Sequence, residues 1–253
     1  MFLVSDDLIA ETAFQTHWPS YNNALMRINA TRYRGLGDER TKNFARCAWD
    51  DALMIRLRTV GAVCWYLIPC SWLGLHFRDD PRYFEMARAL HGSEPEGERI
   101  EIARQHFIRI AEQTTGLNGE RVPAALRRTK DAFHQLSDPG ITTNDIVNIS
   151  LAAWDIHHDS RTDFPRNAFV DASRQELAKA DIEGDMSGET MLKMHVGMAF
   201  WLGTGFLRDP QYAWVSDSIM RSRAIGHPPM QALVTYAQKR LDRVSTRYDE
   251  NRE

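Results

Sequence analysis

The chain has 253 residues, of which 43% are hydrophobic and 26% charged, as in folded globular proteins and unlike disordered, collagen-like or disulfide-rich chains. Thirty-one basic and 34 acidic residues leave a formal charge of -3, so no overall positive field favours a nucleic-acid backbone or an anionic membrane. The 3 cysteines lack C-x-x-C spacing and the first residues lack a secretory pattern. We therefore expect reduced thiols, no cofactor and a cytoplasmic protein.

Helix signals follow one another along the chain, without the alternation or hairpin turns that indicate strands. The sequence predicts an all-α protein: a single helical domain over 1–253, built as a compact bundle of about 11–12 helices. Its two halves would be residues 1–137 and 138–253. The predicted helices cover 5–16, 21–33, 39–58, 60–73, 81–91, 95–115, 122–136, 143–158, 166–180, 188–202, 210–224 and 229–249.

The uncharged run from Thr59 to Phe77 is long enough to cross a bilayer. An internal proline, Pro69, several polar residues and a charged cluster directly after the run argue against a membrane span. We expect a buried core helix that breaks at Pro69, and no membrane span.

Residues 72–83 match residues 201–212, which lie 129 positions later, at seven of twelve positions, namely Trp, Leu, Gly, Phe, Asp, Pro and Tyr. In both copies a glycine can end one helix, and an Asp-Pro pair, Asp80-Pro81 or Asp209-Pro210, can cap the next. The motif predicts two pseudo-repeated helix-corner-helix halves that meet across one core.

The side chains of these corners also form the candidate binding site. Aromatic and arginine side chains are the usual anchors of binding surfaces, so two such corners could form a groove for a partner protein or an aromatic ligand. The candidate residues are Trp72, Phe77, Arg78, Tyr83, Trp201, Phe206, Arg208 and Tyr212. A purely structural role for the same aromatic residues, as corner packing, is the alternative.

One group of histidines and aspartates offers an alternative, enzymatic interpretation. Two helices could bring their carboxylates and imidazoles to one metal ion, and the candidate ligands are His134, Asp155, His157, His158 and Asp159, with Asp131 three residues before the first. A histidine followed later by His158-Asp159 resembles the metal-dependent HD phosphohydrolases, which implies a hydrolase whose ion activates water. The sequence after Asp159 departs from that family's pattern, so we expect capping and solvation of a helix end instead.

The last predicted helix carries an apolar seam with heptad-like spacing, beginning at Met230 and continuing through Val234, Ala237, Leu241, Val244 and Tyr248. The seam can pack on its own domain or form a homodimer. Because no nucleotide-binding loop or catalytic fingerprint is present, we expect a non-enzymatic protein-protein interaction factor of bacterial style, such as an adaptor, chaperone or immunity-type protein.

Overall fold

A computed structural model describes residues 6–114, 124–125, 128, 131, 135, 140–153, 165–180, 188–227, 232, 235–239 and 242. Throughout these residues the regular structure is helical and contains no strand, which confirms the predicted all-α bundle. The helices are α1 (Asp6–Leu36), α2 (Asp38–Met54), α3 (Val60–Leu73), α4 (Phe84–Leu90), α5 (Glu96–Thr114), α6 (Thr143–Ala153), α7 (Arg166–Ala180), α8 (Gly188–Leu202) and α9 (Ala213–Ala224).

The first hydrophobic core lies between α1, α2 and α3, with α4 and α5 packed beside it. The two helices predicted over 5–16 and 21–33 are wrong, because α1 runs through Pro19 and is irregular only at Asn29, with φ -160° and ψ 85°. Its apolar face is buried from Phe14 to Tyr33, on both sides of Pro19, while Leu8 and Ile9 near the start of the helix are exposed. Burial of that face offsets the hydrogen bond that a proline inside a helix removes.

Two further boundaries differ from the prediction for reasons visible in the backbone. Helix α2 stops at Met54, well before residue 58, because Arg56 adopts a left-handed conformation with φ 60° and Leu57 N donates back to the Ala52 carbonyl (2.9 Å). The predicted break at Pro69 is also wrong, since α3 continues to Leu73. Packing against α1, α2 and α5 holds α3 together across the proline.

A second core lies between α6, α7 and α8, which contact one another. It includes large buried residues from each helix, among them Ile146, Phe169, Met194 and Phe200. The last predicted helix carries the apolar seam, of which Ala237 alone lies within the described residues. Ala237 is fully buried in this core. The other seam residues, Met230, Val234, Leu241, Val244 and Tyr248, lie outside them.

In the part of the chain that the structure describes, none of the helices combines the length and the apolar composition that crossing a bilayer requires. The run from Thr59 to Phe77 instead forms α3 and the turn after it, and most of its apolar side chains are buried against neighbouring helices.

Candidate functional site

The two copies of the repeated motif, here called the first corner (residues 72–83) and the second corner (residues 201–212), pack directly against each other. Both helix-ending glycines have positive φ, 98° at Gly74 and 89° at Gly203. A Cβ atom on Gly203 would lie 2.6 Å from the Leu73 carbonyl oxygen, and one on Gly74 would lie 3.1 Å from the Leu202 carbonyl oxygen. Glycine is therefore required at both positions for backbone conformation and for close approach.

The aspartates of the two corners make matching sets of hydrogen bonds. Asp80 Oδ1 accepts from Arg82 N (3.0 Å) and Asp209 Oδ1 accepts from Gln211 N (2.9 Å), which confirms both as N-caps of the following 3-10 turns. Each second carboxylate oxygen crosses to the other corner: Asp209 Oδ2 accepts from Leu75 N (2.7 Å), and Asp80 Oδ2 accepts from Thr204 N (3.2 Å). The corners are thus joined by reciprocal bonds between buried groups.

The side chains that follow these aspartates also cross between the corners. Arg82 donates to the Ala199 carbonyl (2.9 Å), and Gln211 Nε2 donates to the Cys70 carbonyl (2.9 Å). Ala199 follows Cys70 by 129 positions, the spacing that also relates the two corners. These bonds relate the corners to each other, whereas the equivalence of the complete halves stays a prediction.

The two aspartates differ in their electrostatic environment. Asp80 forms a two-pronged ion pair with Arg82, with Nε–Oδ1 2.9 Å and Nη2–Oδ2 2.6 Å. Burial disfavours the charge of this guanidinium, but Asp80 outweighs the burial and raises the pKa of Arg82. Asp209 has no such ion pair, and burial raises the pKa of its carboxyl group in spite of the hydrogen bonds from Leu75 and Gln211.

The two candidate arginines of the binding site are paired with acidic side chains of neighbouring helices. Arg78 donates to both carboxylate oxygens of Asp51 on α2, and its Nη1 lies 2.7 Å from His91 Nε2. Arg208 donates to both oxygens of Glu176 on α7, at 2.8 and 2.9 Å. The two guanidinium groups therefore tie the first corner to α2 and the second corner to α7.

Most of the candidate aromatic residues belong to the cores. Phe77 is buried against Tyr66 of α3, and Phe206 is buried against His195 of α8. Tyr83 and Tyr212 lie at the contact between the corners, and desolvation raises the pKa of Tyr83 to about 12. Such packing agrees with the structural alternative for these rings, and their role in binding stays a prediction.

The two tryptophans of the motif have different surroundings. Trp201 lies 6.4 Å from Trp214, whose ring stacks on Tyr236 at 5.2 Å (centroid distances). Trp72 packs only its edge on Phe107 of α5 (6.3 Å) and remains 54% exposed. It is the candidate binding residue with the largest accessible aromatic surface in the described part of the motif.

Trp72 belongs to a group of exposed apolar side chains that we call the exposed apolar surface: Trp72, Phe84 (61% exposed) and Ile108 (41% exposed). They lie on α3, α4 and α5, and α5 contacts both other helices. Arg88 lies over the Phe84 ring (5.9 Å), and α4 packs along α5, the helix that carries Phe107. The sequence offered no local signal for Phe84 or Ile108, because their exposure depends on how α4 packs on α5.

The charged groups beside this surface include an arginine without an acidic partner. Arg109 Nη2 lies 3.0 Å from His106 Nδ1, and Arg109 pairs with no carboxylate among the described residues. Burial and the neighbouring Arg109 lower the pKa of His106, so its ring is neutral and can accept this bond. Next to Ile108, the exposed apolar surface therefore carries a positive charge that pairs with no carboxylate of the described residues.

The candidate metal ligands of the enzymatic alternative lie almost entirely outside the described residues. His134, Asp155, His157, His158 and Asp159 all lie outside them, and only Asp131, which is exposed on a helix, lies inside. Elsewhere in the described ranges, no group of three or more histidine, cysteine, aspartate or glutamate side chains is arranged to hold a metal ion. The three cysteines are free thiols.

Comparison with known proteins finds no matching family model, no similar curated protein and no similar solved structure.

Proposed function

We propose that this protein acts by binding another protein, as a non-enzymatic adaptor, chaperone or immunity-type factor in the cytoplasm. The observation that supports this function is the exposed apolar surface, where Trp72 and Phe84 are 54% and 61% exposed on helices that both pack against α5. Large exposed aromatic side chains are typical of interaction surfaces. The free thiols Cys47, Cys64 and Cys70 support a reducing compartment.

The charges beside the surface indicate the chemistry of the partner. Arg109 has no acidic partner within the described chain, while Arg88 has only an exposed pair with Glu85. A partner segment that inserts an apolar side chain beside Trp72 and places a carboxylate near Arg109 would satisfy both features. We therefore propose an acidic, amphipathic segment of another protein as the occupant.

The proposal is tested by comparing partners of the wild-type protein and two double variants in the organism that makes it. Trp72→Ser with Phe84→Ser removes the exposed apolar surface, and Met220→Ser with Ile225→Ser removes two equally exposed apolar residues near the end of α9. We expect a discrete partner to co-purify with the wild type and the α9 control and to bind the surface variant at least ~10-fold more weakly in titration calorimetry. A partner bound equally by both variants, or no partner lost, would refute this function.

Salt dependence adds an independent measurement on the same complex. Arg109→Gln should weaken binding and reduce its sensitivity to ionic strength, because the charge lies at the exposed rim of the surface. Arg104→Gln is the matched control, since Arg104 lies on the same helix but is already paired with Glu101 (2.8 Å). Equal effects of the two variants would contradict the assignment of Arg109.

A further inference from the structure

His195 is a buried histidine without a proper hydrogen-bond partner. It lies in α8, is completely inaccessible to solvent, and its ring packs on Phe206 of the second corner (centroid distance 4.9 Å). The backbone of Thr204 lies beside the ring, but neither ring nitrogen makes a well-directed hydrogen bond to any described residue. Buried polar atoms are normally paired, so this ring calls for an explanation.

At the corresponding position before the first corner, the ring that packs on the corner phenylalanine belongs to a tyrosine. Tyr66 stands 129 positions before His195 and packs on Phe77, the counterpart of Phe206, at 5.4 Å. The Tyr66 hydroxyl donates to Asp51, which also pairs with Arg78, and at the second corner Arg208 pairs with Glu176. His195 thus stands where the first corner has a hydrogen-bonded tyrosine, but neither of its ring nitrogens bonds to Glu176.

The charged group that acts on the His195 ring is Glu176 of α7, a carboxylate that is 4% exposed. Glu176 is already engaged by Arg208 of the second corner and by Lys179 (2.8 Å) on its own helix. Through these contacts it fastens the second corner to α7, and its negative charge also favours a protonated His195.

Within the described residues, the other carboxylates on elements around α8 are held by bonds of their own. Asp80, which accepts from Thr204 N beside the ring (3.2 Å), is paired with Arg82 (Nη2–Oδ2 2.6 Å). The charged side chain of α6, Asp145, accepts from Thr142 Oγ1 (2.6 Å). On α8 itself, Lys193 donates to the Ile141 carbonyl (2.8 Å) and Glu189 accepts from Thr143 Oγ1 (2.6 Å). From the corners, Asp209 is held by its bonds to Leu75 and Gln211, and His76 packs on Gly205. Glu176 is therefore the group that must respond if His195 gains a proton.

We propose that His195 is a pH-sensitive switch for the second corner: in acid its ring takes up a proton, Glu176 turns from Arg208 to the imidazolium, and the corner loosens from α7. The proton comes from solvent and no covalent bond changes. A buried imidazolium without this carboxylate would be strongly unfavourable, so protonation and the loss of the Glu176–Arg208 pair occur together. The switch is independent of the partner surface proposed above, which lies on α3, α4 and α5.

The direction of the pH effect follows from burial. Desolvation lowers the pKa of His195 from 6.5 to about 4 in the folded protein. The folded state therefore binds fewer protons than the unfolded state between these two values, so this contribution to stability is complete above pH 6.5 and is lost as the pH falls towards 4. At pH 5 the equilibrium constant for unfolding should be roughly 20-fold larger than at pH 7 on account of this residue alone.

The test compares urea unfolding at neutral and mildly acidic pH for the wild type, His195→Phe and a control, His227→Gln, which removes an exposed histidine. Phenylalanine fits a pocket that already packs ring on ring, and it cannot titrate. Between pH 7 and pH 5, we expect the unfolding constants of the wild type and the control to rise by the same factor. The rise for His195→Phe should be roughly 20-fold smaller. An equal loss in all three proteins would overturn the proposal.

Two measurements on the wild type do not depend on whether His195→Phe folds. Exchange of the histidine C2 proton, followed by mass spectrometry, should give His195 a pKa well below that of the other histidines; a pKa near 6.5 would overturn the proposal. Amide exchange, corrected for its intrinsic pH dependence, should show residues 203–209 losing protection in acid before the contact between α1 and α3 does. Simultaneous loss of protection in both regions would mean global acid unfolding and no switch.

Discussion

Replacing the two corner aspartates by asparagine should cost the protein unequal amounts of stability. The N-cap bond alone would predict that asparagine is nearly harmless in both corners, since its amide oxygen can accept the same bond. The structure changes that expectation, because each aspartate also accepts a bond across the corner contact with its second oxygen, from Thr204 N at Asp80 and from Leu75 N at Asp209. In an asparagine variant, the side-chain NH2 group would take the place of that second oxygen. It would then face the backbone N–H of Thr204 or Leu75, so that two donors meet.

The magnitudes follow from what each substitution leaves unpaired. Asp209→Asn leaves one buried backbone N–H unsatisfied and should cost about 1–3 kcal/mol. Asp80→Asn does the same and also removes the charge that compensates Arg82, a side chain with 12% exposure. Loss of one partner of a buried ion pair typically costs about 3–5 kcal/mol. Two carbonyl bonds and the Phe200 and Tyr83 rings still stabilise the arginine, so we expect about 3 kcal/mol or slightly more for Asp80→Asn.

Urea unfolding at neutral pH measures these differences, with Asp217→Asn as control. Asp217 forms an exposed pair with Arg40 at 3.7 Å, which should be worth less than ~0.5 kcal/mol. The double variant Asp80→Asn, Arg82→Gln gives the first corner the glutamine that the second corner has at position 211, and should recover part of the loss. Equal costs for the two asparagine variants, or no recovery in the double variant, would refute the role assigned to the Asp80–Arg82 pair.

Two backbone predictions can be checked by the same unfolding measurements. Gly203→Ala should destabilise the protein by a few kcal/mol more than Gly37→Ala, because both residues have positive φ but only a Cβ on Gly203 meets a backbone oxygen, that of Leu73. Equal losses would show that the corners do not approach as closely as described. Arg56→Gly should stabilise the protein by up to ~1 kcal/mol, because Arg56 is exposed and left-handed at the end of α2; a loss of stability would show that the arginine side chain has a contact that outweighs the backbone strain.

Local patterns in the sequence determined the helical class, several helix boundaries and the corners. The bounds of α3, α7 and α8 agree with the predicted ranges 60–73, 166–180 and 188–202, because residues close in sequence signal where these helices start and stop. The caps Asp80 and Asp209 were predictable for the same reason, because each bonds to a backbone N–H two residues further along.

The tertiary structure decided what local patterns cannot contain. The second oxygens of the two aspartates bond to groups 124 and 134 positions away, and Arg78 and Arg208 find their carboxylates 27 and 32 positions away, so no short window of sequence holds both partners. Packing also decided that α1 and α3 continue through their prolines, because the free energy of burying a continuous apolar face exceeds the cost of one missing hydrogen bond. Finally, it distinguished the tryptophans that begin the two copies of the motif: Trp201 lies against Trp214, while Trp72 contacts Phe107 and stays exposed. The exposed surface of a residue is set by which other elements reach it, and that is a property of the folded chain.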